Sequence, residues 1–192
     1  MRTDISGNHR RSIRVKDYDY SQAGAYFITI CTHDRACLFG KIVDGKMTLN
    51  DAGRMAESCW QDIPDHFPHA DLDEFVIMPN HIHGIIILTD KDGTNGYCRG
   101  EKFFAPTTAH VKPKGTSKTV GSIVRGFKIG VTKWMRHNTT IRDVWQRNYW
   151  EHIIRNDDGM DRIRQYILDN PAQWDMDRNN PNAVQQIAFR RL

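Results

Sequence analysis

The stretch EFVIMPNHIHGIIIL (Glu74–Leu88) predicts two strands joined by a tight turn at Pro79-Asn80. Residues two apart in a strand point to the same face. One face of the second strand therefore carries His81, His83, Ile85 and Ile87, and the other carries Ile82, Ile86 and Leu88. Because both faces are apolar, we expect this strand at the centre of a sheet, with two imidazoles side by side at its start.

Two imidazoles on one face can bind a single ion, since neutral imidazole is the commonest protein metal ligand. The alternative is that His81 and His83 are core residues whose rings are hydrogen-bonded to backbone carbonyls. Two ligands are also too few, because a catalytic metal site needs about three protein ligands and an open position. The hypothesis of a metal site therefore requires a further ligand from elsewhere in the chain.

The segment RQYILDN supplies a candidate, because Tyr166 and Asn170 are one helical turn apart on the same face. An amide oxygen combined with two imidazoles gives a mixed N/O site, which suits Mg²⁺ or Mn²⁺ when water and phosphate fill the other positions. Tyr166 would then lie beside the metal as a nucleophile. The alternative for Tyr166 is an ordinary half-buried aromatic residue of a helix.

Length and composition indicate one globular domain, with 192 residues, 39% hydrophobic and 26% charged residues. No segment has the length of a membrane span, and the N-terminus lacks the apolar core of a signal peptide. The four cysteines form no CxxC pair, which is typical of free thiols in a reducing compartment. We therefore expect a cytoplasmic protein.

Positive charge is concentrated in the second half of the chain. Residues 51–90 contain one Lys/Arg and eight Asp/Glu. Residues 91–155 contain thirteen Lys/Arg and four Asp/Glu. A predicted helix over 118–137 has an apolar stripe on one face and basic side chains on the other, namely Lys118, Arg125, Lys128, Lys133 and Arg136. This basic face is a candidate nucleic-acid contact, and an ordinary solvated surface is the alternative.

The remaining pattern predicts an α+β fold, with helices packed on a mostly antiparallel sheet. Asn50 is a candidate N-cap for a helix that ends before Pro64 or Pro68, and residues 89–117 form a long loop. A strand over Asp143–Arg155 and a helix from about Asp158 to Asn170 follow.

Several segments together resemble the REP-associated tyrosine transposases, a branch of the HUH single-strand nucleases. They are VIMPNHIHGIII, which carries the His-hydrophobic-His motif, and RSIRVKDYDYSQAGAYFITICTHDR, LFGKIVDGKMTLNDAGRMA, GSIVRGFKIGVTKW, VWQRNYWEHIIR and RIRQYILDNPAQW. The resemblance covers roughly residues 10 to 175, in the family's order.

The resemblance implies a ferredoxin-like HUH domain over residues 25–176, with a basic arm at 1–24 and a tail at 177–192. It implies that His81, His83 and Asn170 hold a divalent metal, Mg²⁺ or Mn²⁺, and that Tyr166 is the nucleophile. The implied reaction is cleavage and strand transfer on single-stranded or hairpin DNA of the REP type, through a 5′-phosphotyrosine. The basic residues Arg2, Arg10, Arg11, Arg14 and Lys16 could form an arm that reads the foot of such a hairpin, and a solvated tail is the alternative.

Other interpretations stay open at this point. Tyr149 competes with Tyr166 as nucleophile, and His152 is either an accessory acid/base or structural. Phe103, Phe104 and Trp134 are possible stacking residues, although Trp134 lies on the apolar stripe. The protein could instead bind repeat hairpins without cutting them, act as an HUH relaxase or replication initiator, or hold a purely structural metal. Monomer and homodimer are both compatible with the sequence.

Overall fold

A computed structural model describes residues 21–89 and 118–183. Its strands and helices in chain order are β1 Gly24–Cys31, β2 Gly40–Val43, β3 Lys46–Leu49, α1 Asp51–Gln61, α2 Ile63–His66, β4 Ala70–Ile77, β5 His81–Leu88, α3 Val120–Asn138, β6 Trp150–Ile154 and α4 Asp157–Asp169. Two 3₁₀ turns, His33–Arg35 and Trp174–Met176, complete the described structure.

The main sheet has the strand order β4-β5-β1-β6, and every neighbouring pair is antiparallel. Helix α1 lies in the connection from β1 to β4, and α3 lies in the connection from β5 to β6. This arrangement is the ferredoxin-like βαββαβ topology, so the predicted α+β fold class is confirmed. Strands β2 and β3 form a separate hairpin before α1.

The two faces of the sheet bury different helices. Helices α1 and α3 pack on one face, through a cluster that includes Trp60, Phe127 and Ile86. Helix α4 packs on the other face, where Met160 and Ile167 join a smaller cluster. The apolar side chains of β5 belong alternately to these two clusters, because successive side chains of a strand point to opposite faces. The central strand is therefore covered on both sides.

Local helix signals in the sequence are matched by the structure. The Asn50 side chain accepts a hydrogen bond from Gly53 N at 2.9 Å and so caps α1. The chain continues through Pro64 as the short helix α2, because proline in the first turn lacks only a donor that would have no helical partner. Thr119 and Ser122 form a capping box at the start of α3.

The predicted strand over Asp143–Arg155 is shorter in the structure, where β6 covers Trp150–Ile154. Trp145 makes only an isolated bridge to Thr32. The Lys128 ammonium donates to the carbonyls of Gln146 and Asn148 at 2.8 and 3.0 Å. These bonds hold the segment before β6, and regular pairing with β1 begins at Trp150.

No helix in the two described ranges is long and apolar enough to cross a membrane. Cys31, Cys37 and Cys59, the cysteines within those ranges, are free. Most of the predicted arm 1–24, of the predicted loop 89–117 and of the tail 177–192 lies outside the described residues. The domain boundaries therefore stay predictions.

The packing of Gly84 generates a first prediction. A Cβ on Gly84 would lie 2.3 Å from Trp60 Cζ2 and 3.0 Å from Phe75 Cβ, and Trp60 is fully buried. We expect Gly84→Ala to lower the free energy of unfolding by about 1–3 kcal/mol through overpacking, as measured by urea denaturation. The control is Gly130→Ala in α3, where the new Cβ meets only Cys59 Sγ at 3.2 Å and alanine favours the helix. Equal effects of the two substitutions would contradict this account.

Candidate metal and nucleophile site

His81 and His83 lie side by side at the start of β5. Their ring centroids are 4.5 Å apart, and the two residues are 0% and 1% exposed. They face the side of the sheet that carries α4, since Ile85 and Ile87 on the same face belong to the α4 cluster. The predicted pairing of two imidazoles on one strand face is therefore present.

Asn80 determines which nitrogen of His81 carries the lone pair. The Asn80 amide nitrogen donates to the carbonyls of Arg35 and Asn179 at 2.9 and 2.8 Å, which turns its oxygen towards His81. His81 Nδ1 lies 2.9 Å from that oxygen and must donate to it. The Nε2 atom is then unprotonated in the neutral ring, which is the state that a metal ligand requires.

His83 links the strand to the tyrosine of α4. Its Nδ1 lies 2.8 Å from Thr29 Oγ1, on the neighbouring strand β1. Its Nε2 lies 3.2 Å from Tyr166 Oη. The Tyr166 residue is 42% exposed, and its ring contacts Phe27 edge-on with the ring centroids 5.9 Å apart.

Helix α4 is held on the sheet by residues close to Tyr166. Arg164 Nε and Nη2 donate to the two carboxylate oxygens of Asp73 at 2.7 and 2.6 Å, which is a bidentate pair between α4 and β4. Ile167 is fully buried beneath the helix. Asn156 caps the helix by accepting from Gly159 N. These contacts define the position of the Tyr166 ring.

Asn170 is buried one turn after Tyr166, at 3% exposure. Its side chain lies close enough to His81 and Tyr166 to raise the pKa of the first and to lower that of the second, as a minor contribution in each case. Its Oδ1 has no hydrogen-bond partner among the described residues. The structure thus brings His81, His83, Tyr166 and Asn170 to one place, as their positions in the sequence suggested.

Asp177 joins this group and was not among the predicted ligands. Its carboxylate is 5% exposed, and its Oδ2 lies 3.5 Å from His81 Nε2. Ligand atoms of Asp177, His81 and His83 all lie within 4.8 Å of one another. The segment is fastened by the bond from Asn80 to the Asn179 carbonyl and by Arg35, which donates to the Arg178 carbonyl at 2.8 Å. The residues around Asp177 carry no periodic signal, so sequence reasoning could not find it.

Burial sets the protonation of both rings. It lowers the pKa of His81 to about 4, with Asp177 acting in the opposite direction, and lowers the pKa of His83 well below its ordinary value. Both imidazoles are therefore neutral at pH 7, and the contact between His81 and Asp177 is not an ion pair. Burial, followed by the nearby Asp177 charge, raises the pKa of Tyr166, whose phenol is protonated at that pH.

The donor atoms fit a divalent cation. His81 Nε2, Asn170 Oδ1 and Asp177 Oδ2 are all buried, and within the described ranges none has a hydrogen-bond partner. Buried polar atoms without partners are costly, and a cation bound between these three would satisfy all of them. Nitrogen, amide and carboxylate donors together suit Mn²⁺ or Mg²⁺.

Tyr149 lies on the opposite side of the sheet from the histidines. It packs against the cluster of α1 and α3, whereas its neighbour Trp150 packs against the α4 cluster. The sheet therefore separates Tyr149 from His81 and His83. His152 is exposed on the histidine side of β6, where its ring is parallel to that of Trp150.

The basic side chains predicted on α3 are arranged around a groove. We call the cavity of ≈ 710 Å³ between α3 and the segment before β6 the α3 groove; its lining includes Arg125, Lys128, Lys133, Arg136, Arg147 and Tyr149. Arg125, Lys133 and Arg136 are exposed. None of its lining residues, all from the described part of the chain, is acidic.

The other residues that the sequence predicts to contact DNA lie in different surroundings. The Lys128 ammonium is bonded to two carbonyls, and burial lowers its pKa to about 8. Lys118 is exposed immediately before α3, and Trp134 packs partly against the core. The arm residues Arg10, Arg11, Arg14 and Lys16 and the aromatic residues Phe103 and Phe104 lie outside the described residues.

Comparisons with known proteins give three informative relatives, although no family model matches the chain. A protein of Haemophilus influenzae described as uncharacterized is 50% identical over 171 residues, which cover 89% of this chain and 93% of that protein. A second protein of that organism, named "Putative REP-associated tyrosine transposase", is 26% identical over 155 residues, 81% of this chain and 74% of that protein. A solved structure of a REP-associated tyrosine transposase bound to a REP hairpin has a TM-score of 0.54 at 21% identity, covering 82% of this chain and 72% of that chain. The fold is therefore shared with that protein.

The buried imidazoles make stability depend on pH. Below pH 6.5 the unfolded chain takes up a proton at His81 that the folded chain accepts only near pH 4. This contribution to the free energy of unfolding is therefore full above pH 6.5 and is lost between pH 6.5 and 4. We measure the free energy of unfolding by urea denaturation in the presence of EDTA. Between about pH 7.5 and about pH 5, we expect this free energy to fall by about 1–2 kcal/mol more in the wild type than in His81→Gln. Parallel pH curves for the two proteins would show that His81 is not a buried neutral ring.

The donor set predicts metal binding through Asp177. We expect MnCl₂ to raise the melting temperature of the wild type, and Asp177→Asn to weaken the affinity at least about tenfold, as measured by calorimetry. The matched control is Asp175→Asn, because Asp175 is exposed and precedes Asp177 by only two residues. A metal affinity that is unchanged in Asp177→Asn would remove Asp177 from the site.

Proposed function

We propose that this chain, which resembles the REP-associated tyrosine transposases, is a metal-dependent nuclease and strand transferase for single-stranded hairpin DNA. The names of its relatives support a transposase-like function on REP-type hairpins. The finer proposal concerns the chemistry, in which Tyr166 attacks a DNA phosphate and forms a 5′-phosphotyrosine.

One observation carries this proposal. The hydroxyl of the partly exposed residue Tyr166 lies 3.2 Å from His83 Nε2, beside a buried group of nitrogen and oxygen donors that have no hydrogen-bond partners among the described residues. A structural role would require neither a partly exposed tyrosine nor three unsatisfied buried atoms. A nucleophile next to a cation site requires both.

The reaction balances without any other reactant. The Tyr166 oxygen forms a bond to phosphorus while the bond from phosphorus to the 3′ oxygen breaks, and the phenolic proton ends on that 3′ oxygen. Cleavage therefore leaves a 5′-phosphotyrosine and a free 3′-OH, and a 3′-OH of another strand can reverse it. A divalent cation held by His81, His83, Asn170 and Asp177 would neutralise charge on the non-bridging oxygens.

The residues around Tyr166 position it and adjust its acidity. The Arg164 pair with Asp73 and the burial of Ile167 hold the helix, so the phenol does not have to be ordered during the reaction. Its raised pKa means that the free site carries a protonated phenol. Positive charge next to the ring would lower that pKa, which explains why the nucleophile would be competent only with metal.

Basic surface outside the site supports binding of a polyanion. Arg125, Lys133 and Arg136 are exposed along the α3 groove, and we assign them to the DNA backbone together with Lys118 and the arm residues Arg10, Arg11, Arg14 and Lys16. Lys128 has a different role in this proposal, because its ammonium fastens the segment before β6. A chromosomal DNA substrate agrees with the cytoplasmic location expected from the sequence.

A monomer would suffice for this chemistry. His83 and Tyr166 of the same chain are in contact, and only Arg155 and Asn156 separate β6 from α4. So short a connection leaves little freedom for the helix to enter the site of a second copy. We therefore propose the monomer as the active form.

The test is covalent capture of DNA. With labelled single-stranded oligonucleotides carrying the palindromic repeats next to its gene, we expect an adduct in denaturing gels with Mn²⁺ or Mg²⁺ and none with EDTA. Tyr166→Phe removes the attacking oxygen and should reduce adduct formation at least about 10³-fold. Tyr149→Phe, on the other face of the sheet, should still form the adduct.

An adduct that persists in Tyr166→Phe would reject the nucleophile. Tight binding to the hairpin in a native gel, with no cleavage under either metal, would instead favour the second function, a sequence-specific hairpin binder that does not cut.

A further inference from the structure

The edge strand β6 presents different side chains to the two faces of the sheet. Tyr149, just before the strand, lines the α3 groove on one side. Trp150 and His152 point to the other side, where Trp150 packs partly against the α4 cluster. A single strand edge therefore joins the basic groove to the face that holds Tyr166.

Trp150 and His152 form a parallel aromatic pair on that face. Their ring centroids are 5.9 Å apart, and the angle between the planes is 4°. His152 is exposed and Trp150 is partly exposed, whereas Ile154, two residues further on, is 1% exposed under α4. The helix thus covers the end of β6 and leaves the two rings open to solvent.

The pair is connected to the nucleophile through Phe27. The Phe27 ring meets Trp150 at 5.5 Å and Tyr166 at 5.9 Å, edge-on in both cases. Thr29 is paired with His83 on one side and with Trp150 on the other. Two strand spacings therefore separate the backbones of His83 and Trp150, roughly 10 Å. About three stacked nucleotides at ~3.4 Å each cover that distance, and an extended strand needs fewer.

We propose that Trp150 and His152 are a stacking platform for an unpaired base that flanks the cut phosphate. This inference rests on the proposed function, which it deepens by giving the single-stranded part of the substrate a binding site. Base stacking on aromatic rings tolerates any sequence, because every base has a π-face. The backbone of the same segment would pass Arg155, which is exposed directly after the strand, and Arg147, which is exposed in the chain before the strand and lines the α3 groove.

The chemistry of the pair favours this occupant over a purely structural role. A tryptophan needed only for packing would not require a parallel histidine ring on its solvent side. The only acidic residue of β6, Glu151, alternates to the other face of the sheet, so the strand adds no repulsive charge to this face. The position, beside an exposed tyrosine at the end of a basic groove, matches a strand that enters the site from the β6 edge.

The test measures base stacking without cleavage, because it uses the Tyr166→Phe protein, which lacks the attacking oxygen. The first probe is a dT oligonucleotide with one 2-aminopurine, and the second is the repeat hairpin with 2-aminopurine placed in turn along its single-stranded flank. We expect quenching of the 2-aminopurine fluorescence on binding, at one or two flank positions of the hairpin probe. Trp150→Leu should abolish that quenching and weaken binding of the flanked DNA about 5- to 100-fold, whereas Trp150→Tyr should retain both.

Two further variants and one further DNA probe make the result specific. Trp134→Leu removes another partly buried tryptophan, on α3 at the other side of the sheet, and should leave the quenching intact. His152→Ala removes an exposed ring with little risk to folding and should reduce the quenching. A hairpin without single-stranded flanks should bind all variants equally.

The outcomes distinguish this inference from the proposed function. If the wild type forms an adduct but Trp150→Leu and His152→Ala bind flanked DNA normally, the platform is wrong and the nuclease stands. If no adduct forms under any metal but the quenching depends on Trp150, the platform stands and the nuclease is wrong. If Trp150→Leu weakens flanked and flankless hairpins alike, the residue supports the fold and the platform is rejected.

Discussion

Strand β5 is buried at each of its eight residues, so both of its faces must be matched by partners. One face packs into the core beneath α1 and α3, where Gly84 leaves room for the Trp60 ring. The other face carries His81 and His83 beneath α4. Because side chains alternate strictly along a strand, the packing of the apolar face determines where the imidazoles point. The position of the candidate metal and nucleophile site is thus a consequence of how the core packs.

The same burial creates the chemistry of the site. Removal from water keeps both imidazoles neutral, and it also makes every unpaired oxygen near them costly. Asn80 accepts a hydrogen bond from Nδ1 of His81, so that nitrogen has a partner. The other nitrogen, Nε2, then faces Asp177. Three distant segments, at Arg35, Asn80 and Asn179, meet in this network. A site built in this way is arranged before any substrate arrives.

Tyr166 lies on a helix that is firmly held, but the residue itself and the neighbouring strand are partly open to solvent. Helix α4 is fastened by the bidentate pair of Arg164 and Asp73, but the tyrosine itself is 42% exposed. Beside it, β6 is an edge strand of the described sheet and is covered by α4 only at its end. The molecule therefore holds Tyr166 firmly while leaving an open approach along one edge of the sheet.

The sequence by itself determined the features that depend on spacing within one element: the alternation of β5, the cap at Asn50, the stripe on α3, and the helical turn from Tyr166 to Asn170. Such patterns are visible because a strand or helix repeats every 2 or 3.6 residues. Only the tertiary structure decided that Asp177 joins the histidines, that Lys128 is bonded to the chain before β6, and that Tyr149 lies on the far face. These outcomes depend on contacts between residues far apart in the chain, such as the bond from Asn80 to Asn179 across 99 positions. Periodicity carries no information about which distant segments meet, because that is decided by packing and by the partners that buried polar groups require.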